Sequence, residues 1–228
     1  MKKLPKLALL FLVLALVLTA CNQKKEEEPD LLDPIEQPTY TLADSATSLP
    51  EGMPGLLDYL TTREGYFKVN ENDLVYLIIS LGQEAEEGIS LRLKDLIKEN
   101  SVLKINLETE LLSESGEGMT ASFPQMVLVF EEDFEELEIN LNEDDSLDYL
   151  DLVYHFAQAT YQEVDEAGDL ILHLSHDEEG YFQVFELTPL QAEILPHLKL
   201  QEDASINIFF VTEESKQPII VELQIPGK

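Results

Sequence analysis

The sequence predicts an α+β fold, mostly β: a helix plus antiparallel sheet domain followed by a small OB-like five-stranded barrel. Two features lead to this reading. Short runs rich in Val, Ile, Leu, Phe and Tyr recur along most of the chain, bounded by Gly, Asn, Asp and Pro turns, as strands require. Helical spacing of apolar residues is confined to brief stretches opened by Leu49-Pro50, Ser146 and Thr188-Pro189. With Cys21 the sole cysteine, no internal disulfide can form, so packing alone must hold the fold.

In chain order, Met53, Leu56, Leu57 and Leu60 share one face of a helix of roughly three turns. After Gly65 the period changes. Tyr66, Phe67 and Val69 lead through the turn Asn70-Glu71-Asn72-Asp73 into Leu74–Leu81, an apolar run that does not suit a sheet edge, and the pair reads as a hairpin. Strands are expected at Ile89–Ile97, Val102–Leu107, Gln125–Phe130 and Leu137–Leu141, with a Gly- and Ser-rich loop at Ser113–Gly118. This first domain, 49–142, ends at the acidic stretch Asn142-Glu143-Asp144-Asp145. In the second, 146–228, Ser146 is expected to cap a brief helix carrying Leu147, Leu150 and Tyr154. Strands then follow at Ala159–Val164, Leu170–Leu174 and Tyr181–Leu187, a helix at Thr188 to about Leu195, and strands at Ile206–Val211 and Ile219–Ile225. Three strands, a helix and two strands is the element order of an OB-like barrel.

The N-terminus carries an address. Lys2, Lys3 and Lys6 precede an apolar run from Leu7 to Leu18 that is short for a membrane span and has the form of an export signal, residues 1–20. It ends Leu18-Thr19-Ala20-Cys21, which resembles the bacterial lipobox. That resemblance implies cleavage before Cys21 and diacylglyceryl transfer to its thiol, giving a lipoprotein on the outer face of the cell membrane. More than one acyl chain gives stable anchoring. Residues 21–48, with like charges in a row and three prolines from Asn22 to Ser48, are expected to form a flexible acidic tether. Charges interrupt every later apolar run, so no second membrane segment is expected.

Composition narrows the partners. Fourteen Lys and Arg stand against 46 Asp and Glu, a net charge of −32. Nucleic acid and anionic lipid surfaces are repelled by such a chain, while cationic partners are favoured.

Leu49-Pro50, Gly65-Tyr66-Phe67 and Tyr76-Leu77-Ile78-Ile79-Ser80-Leu81-Gly82, with Phe123-Pro124 before a last strand, resemble the PrcB-like proteins, a bacterial family named after a protease-complex subunit. The likeness spans roughly Leu49 to Leu141. The family's Gly-rich turn is replaced here by Ala85-Glu86-Glu87-Gly88-Ile89. What the resemblance implies is protein contact and stabilisation of a protease complex, without catalysis. Tyr161–Asp165 and Leu170–Leu174 are similar to a small barrel appended to such lipoproteins.

Catalytic constellations do not assemble from the remaining residues. His173 and His176, three apart near a strand end, do not share a strand face, and His155 and His197 stand alone. Ser101-Val102-Leu103-Lys104 has Ser-x-x-Lys spacing, but it opens a strand where the acyl-transfer motif opens a helix. There is no Gly-x-Ser-x-Gly elbow or phosphate-cradling loop, and no cofactor is expected. Carboxylates cluster at Glu131, Glu132, Asp133, Glu135 and Glu136, and at Glu143, Asp144, Asp145, Asp148 and Asp151, without the residue order of a calcium loop. The sequence therefore reads as a non-enzymatic, membrane-tethered protein-binding module that docks on an exported protease or other surface protein. Tyr66, Phe67, Tyr76 and Phe123 are the candidate contacts and Cys21 the lipidation site. The alternative is a small-ligand or calcium-binding envelope lipoprotein.

Overall fold

A computed structural model of the chain describes residues 37–43, 49–83, 88–99, 101–111, 122–142, 145–175 and 180–226. Residues from Glu36 to Lys228 make one compact unit. The expected signal, Cys21, most of the tether and the Ser113–Gly118 loop lie outside the described residues.

The N-terminal part is a two-sheet sandwich. One sheet has β1 (Tyr40–Leu42), β2 (Glu64–Glu71), β3 (Leu74–Leu81) and β6 (Gln125–Phe130) in the order β1-β6-β3-β2. The other has β4 (Ile89–Glu99), β5 (Val102–Leu111), β7 (Glu136–Leu141) and β8 (Asp145–Ser146) in the order β4-β5-β7-β8. Every pairing is antiparallel except β5 with β7. Because side chains alternate along a strand, Val75, Leu77, Ile79 and Leu81 of β3 face the second sheet. There they meet Leu103, Ile105 and Leu107 of β5 and Ile139 of β7 in the first core. The intervening Tyr76 and Ile78 point the other way, into a second core. Burial on both faces explains why β3 is a near-continuous apolar run and why it sits inside the sheet, as its composition predicts.

The C-terminal part is a closed barrel of β9 (Val153–Val164), β10 (Leu170–Leu174), β11 (Tyr181–Leu187), β12 (Ser205–Thr212) and β13 (Ile219–Gln224). The strands run in the order β10-β11-β13-β12-β9, with β11 and β13 parallel. A closed five-stranded sheet with one helix between its third and fourth strands is the predicted OB-like architecture. That helix, α2 (Pro189–Leu198), begins where the sequence places it: the Thr188 hydroxyl accepts the Gln191 amide at 3.3 Å and Pro189 occupies the first turn. Leu170, Leu172, Phe185, Ile206, Ile208 and Ile220 fill the barrel.

Helix α1 (Met53–Leu60) joins the two parts. Met53, Leu56 and Leu60 are fully buried in the second core between the sandwich and the barrel's outer wall, where Phe209, Val211 and Val221 await them. The sandwich holds the helix's C-terminal end: the buried Ser80 hydroxyl donates to the Leu60 carbonyl at 2.9 Å and Gln125 donates to that of Leu57 at 2.9 Å. The barrel holds its other side. The Gly55 amide donates to a Glu222 carboxylate oxygen at 3.1 Å, and a Cβ at Gly55 would lie 2.3 Å from the Val221 carbonyl oxygen. Arg63, just past the helix, pairs with Glu213 at 2.6 Å and lies over the Tyr59 ring, whose hydroxyl donates to the same carboxylate at 2.8 Å.

Three expectations are corrected. Tyr40–Leu42, placed in the tether, form an edge strand on β6, with Tyr40 opposite Phe130 and Leu42 opposite Leu128. The helix expected after Ser146 does not form. Residues 145–146 pair with β7, Leu147 enters the first core, and the Leu150 amide donates to the Tyr66 carbonyl at 2.8 Å. Pairing with existing strands outcompetes a short helix that has little packing of its own. The barrel's first strand also begins at Val153, earlier than Ala159, so Tyr154 lies on a strand. Among the described residues no helix is long and apolar enough to cross a membrane.

Gly55→Ala is expected to destabilise the fold by about 1–3 kcal/mol through overpacking against the Val221 backbone, read from the urea midpoint. Burial would raise the Glu213 carboxyl, but hydrogen bonds from Lys216, Tyr59 and Arg63, and the Arg63 charge, outweigh it and hold it down to about 2. Its unfolded value is near 4.5, so its contribution is fully present above that pH and is lost as pH falls from there through about 2. Glu213→Gln is expected to lower stability near neutral pH and to flatten the acid limb of a stability–pH profile.

Candidate aromatic groove

The structure separates the four aromatic residues singled out in the sequence. Phe67 and Tyr76 share a face of the β2–β3 hairpin and are buried in the second core. Tyr66, one residue away, lies on the opposite face against the first core. Phe123 is exposed just before β6, away from the others, where the Pro124 carbonyl accepts the Leu81 amide at 3.1 Å. Only Phe67 belongs to a site.

That site is a groove of about 620 Å³ between the edge of the sandwich and the barrel. One wall is a consecutive stretch of β2, Phe67 to Glu71. The other is the connector and barrel surface: Tyr149, Leu152, Val153, Tyr154, Phe156 and Phe209, with Glu51, just before α1, also lining the groove. The rings form two groups, one on the Phe67 side and one on the Phe209 side. Tyr149 stacks on Phe67 with centroids 6.2 Å apart and meets Tyr66 edge-on at 5.5 Å. Phe209 stacks with Tyr154 at 6.2 Å and tilts against Phe156 at 5.1 Å. Strand alternation explains the last three: Tyr154 and Phe156 point outward from β9, and Phe209, opposite Phe156, points outward from β12. Gly52, with φ of 78°, lets the chain pass over this surface, since a Cβ there would lie 2.2 Å from the Phe209 ring.

Much of this apolar surface is left in solvent. Tyr149 is 50% exposed, Val153 53% and Phe156 55%, an apolar exposure around one groove of the kind that marks contact surfaces. The polar rim is acidic. Burial, then repulsion from Glu51, pushes the Glu71 carboxyl up. Neither Glu51 nor Glu71 has an ion-pair partner among the described residues. Lys68, though on β2, reaches from the opposite face to Asp133 at 2.9 Å and lies over the Phe134 ring. Within the groove the Tyr154 hydroxyl is buried without a hydrogen-bond partner among the described residues. Burial, with the Glu71 and Glu222 charges nearby, raises its pKa.

The remaining candidates are dispersed. His155 stacks on Phe210 at 4.8 Å, its Nε2 lies 3.0 Å from the Thr212 hydroxyl, and burial pushes its pKa down. His173 packs on Phe182, His197 ends α2, and His176 lies outside the described residues. Ser101 sits in a left-handed turn with φ of 70°, while Lys104 is engaged by Glu99 at 3.1 Å and Glu138 at 4.0 Å. Among the described residues, no group of three His, Cys, Asp or Glu side chains converges on a metal-sized space. Glu143 and Asp144 of the second acidic cluster lie outside them.

Tyr149, Tyr154 and Phe156 escape sequence reasoning because reading Ser146–Tyr154 as helix, and starting the next strand at Ala159, hides the outward alternation of Tyr154 and Phe156; Phe209 lies on an expected strand, but nothing in its sequence marks the barrel's outer wall as a contact surface. The available signal was the Tyr-His-Phe pattern itself, two aromatics at strand spacing. No protein-family model matches the chain, and no curated protein does.

Removing the unpaired hydroxyl should help the fold. Tyr154→Phe is expected to gain about 1 kcal/mol, seen as a higher thermal midpoint; a loss would mean the hydroxyl is satisfied in the native state.

Proposed function

We propose that the chain is a non-enzymatic protein-binding lipoprotein, anchored through lipid on Cys21 to the outer face of the bacterial cell membrane, that docks an exported protein in the groove between sandwich and barrel. The observation that carries this reading is the groove lined by Phe67, Tyr154 and Phe209 together with the solvent-exposed Tyr149, Val153 and Phe156. Rigid aromatic rings presented around a groove, with charge confined to the rim, make the pattern of a protein contact, in which a few aromatic anchors carry most of the binding. The Leu18-Thr19-Ala20-Cys21 sequence supports the anchor. The PrcB-like pattern of Leu49–Leu141 supports an exported protease as the partner. The net charge of −32 opposes nucleic acid and anionic lipid as alternatives.

The test is crosslinking and affinity recovery from native membranes, comparing the unsubstituted chain with Tyr149→Ala/Phe156→Ala and with Cys21→Ser. A single exported protein should be recovered with the unsubstituted chain and lost with the double substitution. Cys21→Ser should eliminate incorporation of labelled fatty acid and release the chain from the membrane. Equal recovery by the double substitution would move the contact away from the groove, and fatty-acid labelling of Cys21→Ser would remove the anchor.

A further inference from the structure

We propose that the groove takes an extended, Lys- or Arg-bearing segment of the partner protein, added as a fifth strand along the open edge of β2, with its cations held between the aromatic rings and the Glu51 and Glu71 carboxylates. This rests on reading the chain as a protein-binding module and names the chemistry of what it binds.

The edge comes first. β2 is the terminal strand of its sheet and pairs only with β3 over its length. Among the described residues, its outer side is backbone-paired at one residue alone: the Tyr66 amide donates to the Asp148 carbonyl at 3.0 Å, and the Tyr66 carbonyl accepts the Leu150 amide at 2.8 Å. Both backbone groups of Tyr66 therefore face outward. By the two-residue repeat of an antiparallel strand, so do those of Lys68 and Asn70. These lie within the stretch of β2 that forms the groove wall, and no other strand among those described pairs with them. An unpaired edge of this kind is a template for strand addition, in which backbone bonds supply affinity and flanking pockets read alternate side chains.

The second observation is charge. The groove holds two carboxylates and five aromatic rings, Phe67, Tyr149, Tyr154, Phe156 and Phe209, and the one cation on its wall, Lys68, turns its ammonium to Asp133 on the far face of the sheet. Glu51 and Glu71 repel one another across a partly desolvated space, and a cation between them relieves that repulsion. Aromatic faces attract the same ammonium or guanidinium group. A second copy of this chain does not fit, because both surfaces would carry the same acidic excess. In an extended segment successive side chains alternate sides, so basic residues at every second position would all face the rings and carboxylates.

The experiment is calorimetric titration of the full chain with a capped peptide of alternating Arg and Val, about as long as the eight-residue β2, at physiological salt, where screening acts over about 8 Å. Binding is expected, and replacing each Arg with neutral citrulline should weaken it about tenfold or more. N-methylating alternate peptide amides on the pairing edge should abolish it, since the outward carbonyls of β2 then have no peptide N–H to accept from. Glu51→Gln and Glu71→Gln should each weaken binding several-fold, whereas Glu163→Gln, about 30 Å along β9 from Val153, should change it by less than about twofold. Failure of the Arg peptide to bind would overturn the proposal. So would equal binding of the citrulline peptide, tolerance of N-methylation, or equal weakening by Glu163→Gln, which would show diffuse attraction to an acidic surface. The docking reading stands or falls separately on recovery of a partner by the Tyr149/Phe156 comparison.

Discussion

The close seating of helix α1 on the barrel is the contact on which the remaining architecture depends. Its eight residues touch sandwich and barrel at once: Ser80 and Gln125 take its last carbonyls, Glu222 takes the Gly55 amide, and Met53, Leu56 and Leu60 fill the space between. An isolated helix of this length has almost no stability in water, so it exists only because both neighbours are present. The dependence runs the other way as well. Phe209, Val211 and Val221 are apolar side chains on the outside of a closed barrel, where solvent would otherwise meet them. The barrel thus has two apolar surfaces, one facing its own interior and one facing α1, and the second commits it to the sandwich.

The groove follows from that commitment. With the helix fixing the distance between β2 and the β9–β12 wall, Phe67 with Tyr149 on one side and Phe209 with Tyr154 on the other are brought to face a common space. Neither half contains the site alone. The ion-paired cluster of Arg63, Glu213 and Lys216, with Tyr59, pins the same junction on its opposite flank. Two of the chain's fourteen cations align the junction there, while Glu51 and Glu71 have no ion-pair partner among the described residues.

Most of the fold was legible because strands declare themselves through period and bounding turns. Gln125–Phe130, Leu170–Leu174 and Tyr181–Leu187 fall where alternation and flanking Gly, Pro and Asp place them, and the apolar excess of Leu74–Leu81 told of burial on two faces. The barrel followed from element order. What was hidden is tertiary in origin. Tyr40–Leu42 is too short to signal anything until β6 offers it an edge. Ser146–Tyr154 carries apolar residues at helical spacing, yet Leu147 belongs to one core, Leu152 to another and Tyr154 to the barrel wall. The candidate site shared that fate. Tyr66, Phe67 and Tyr76 were visible as aromatic and were, for the most part, packing, whereas the exposed rings came from the segment whose period was misread.

The two-faced burial of β3 has a consequence for fidelity. Leu77 and Ile78 are neighbours in the chain but serve different cores, and the same holds for each adjacent pair from Val75 to Ile79. A slip of one residue in the pairing of β3 would send every side chain to the wrong compartment, placing Tyr76 among the sandwich leucines and withdrawing Leu77 to the helix. An ordinary strand with one wet face has its register checked once. This one is checked twice, by two populations of side chains that differ in shape, and its neighbour β6, with Met126, Leu128 and Phe130 in one core and Val127 in the other, is checked in the same way.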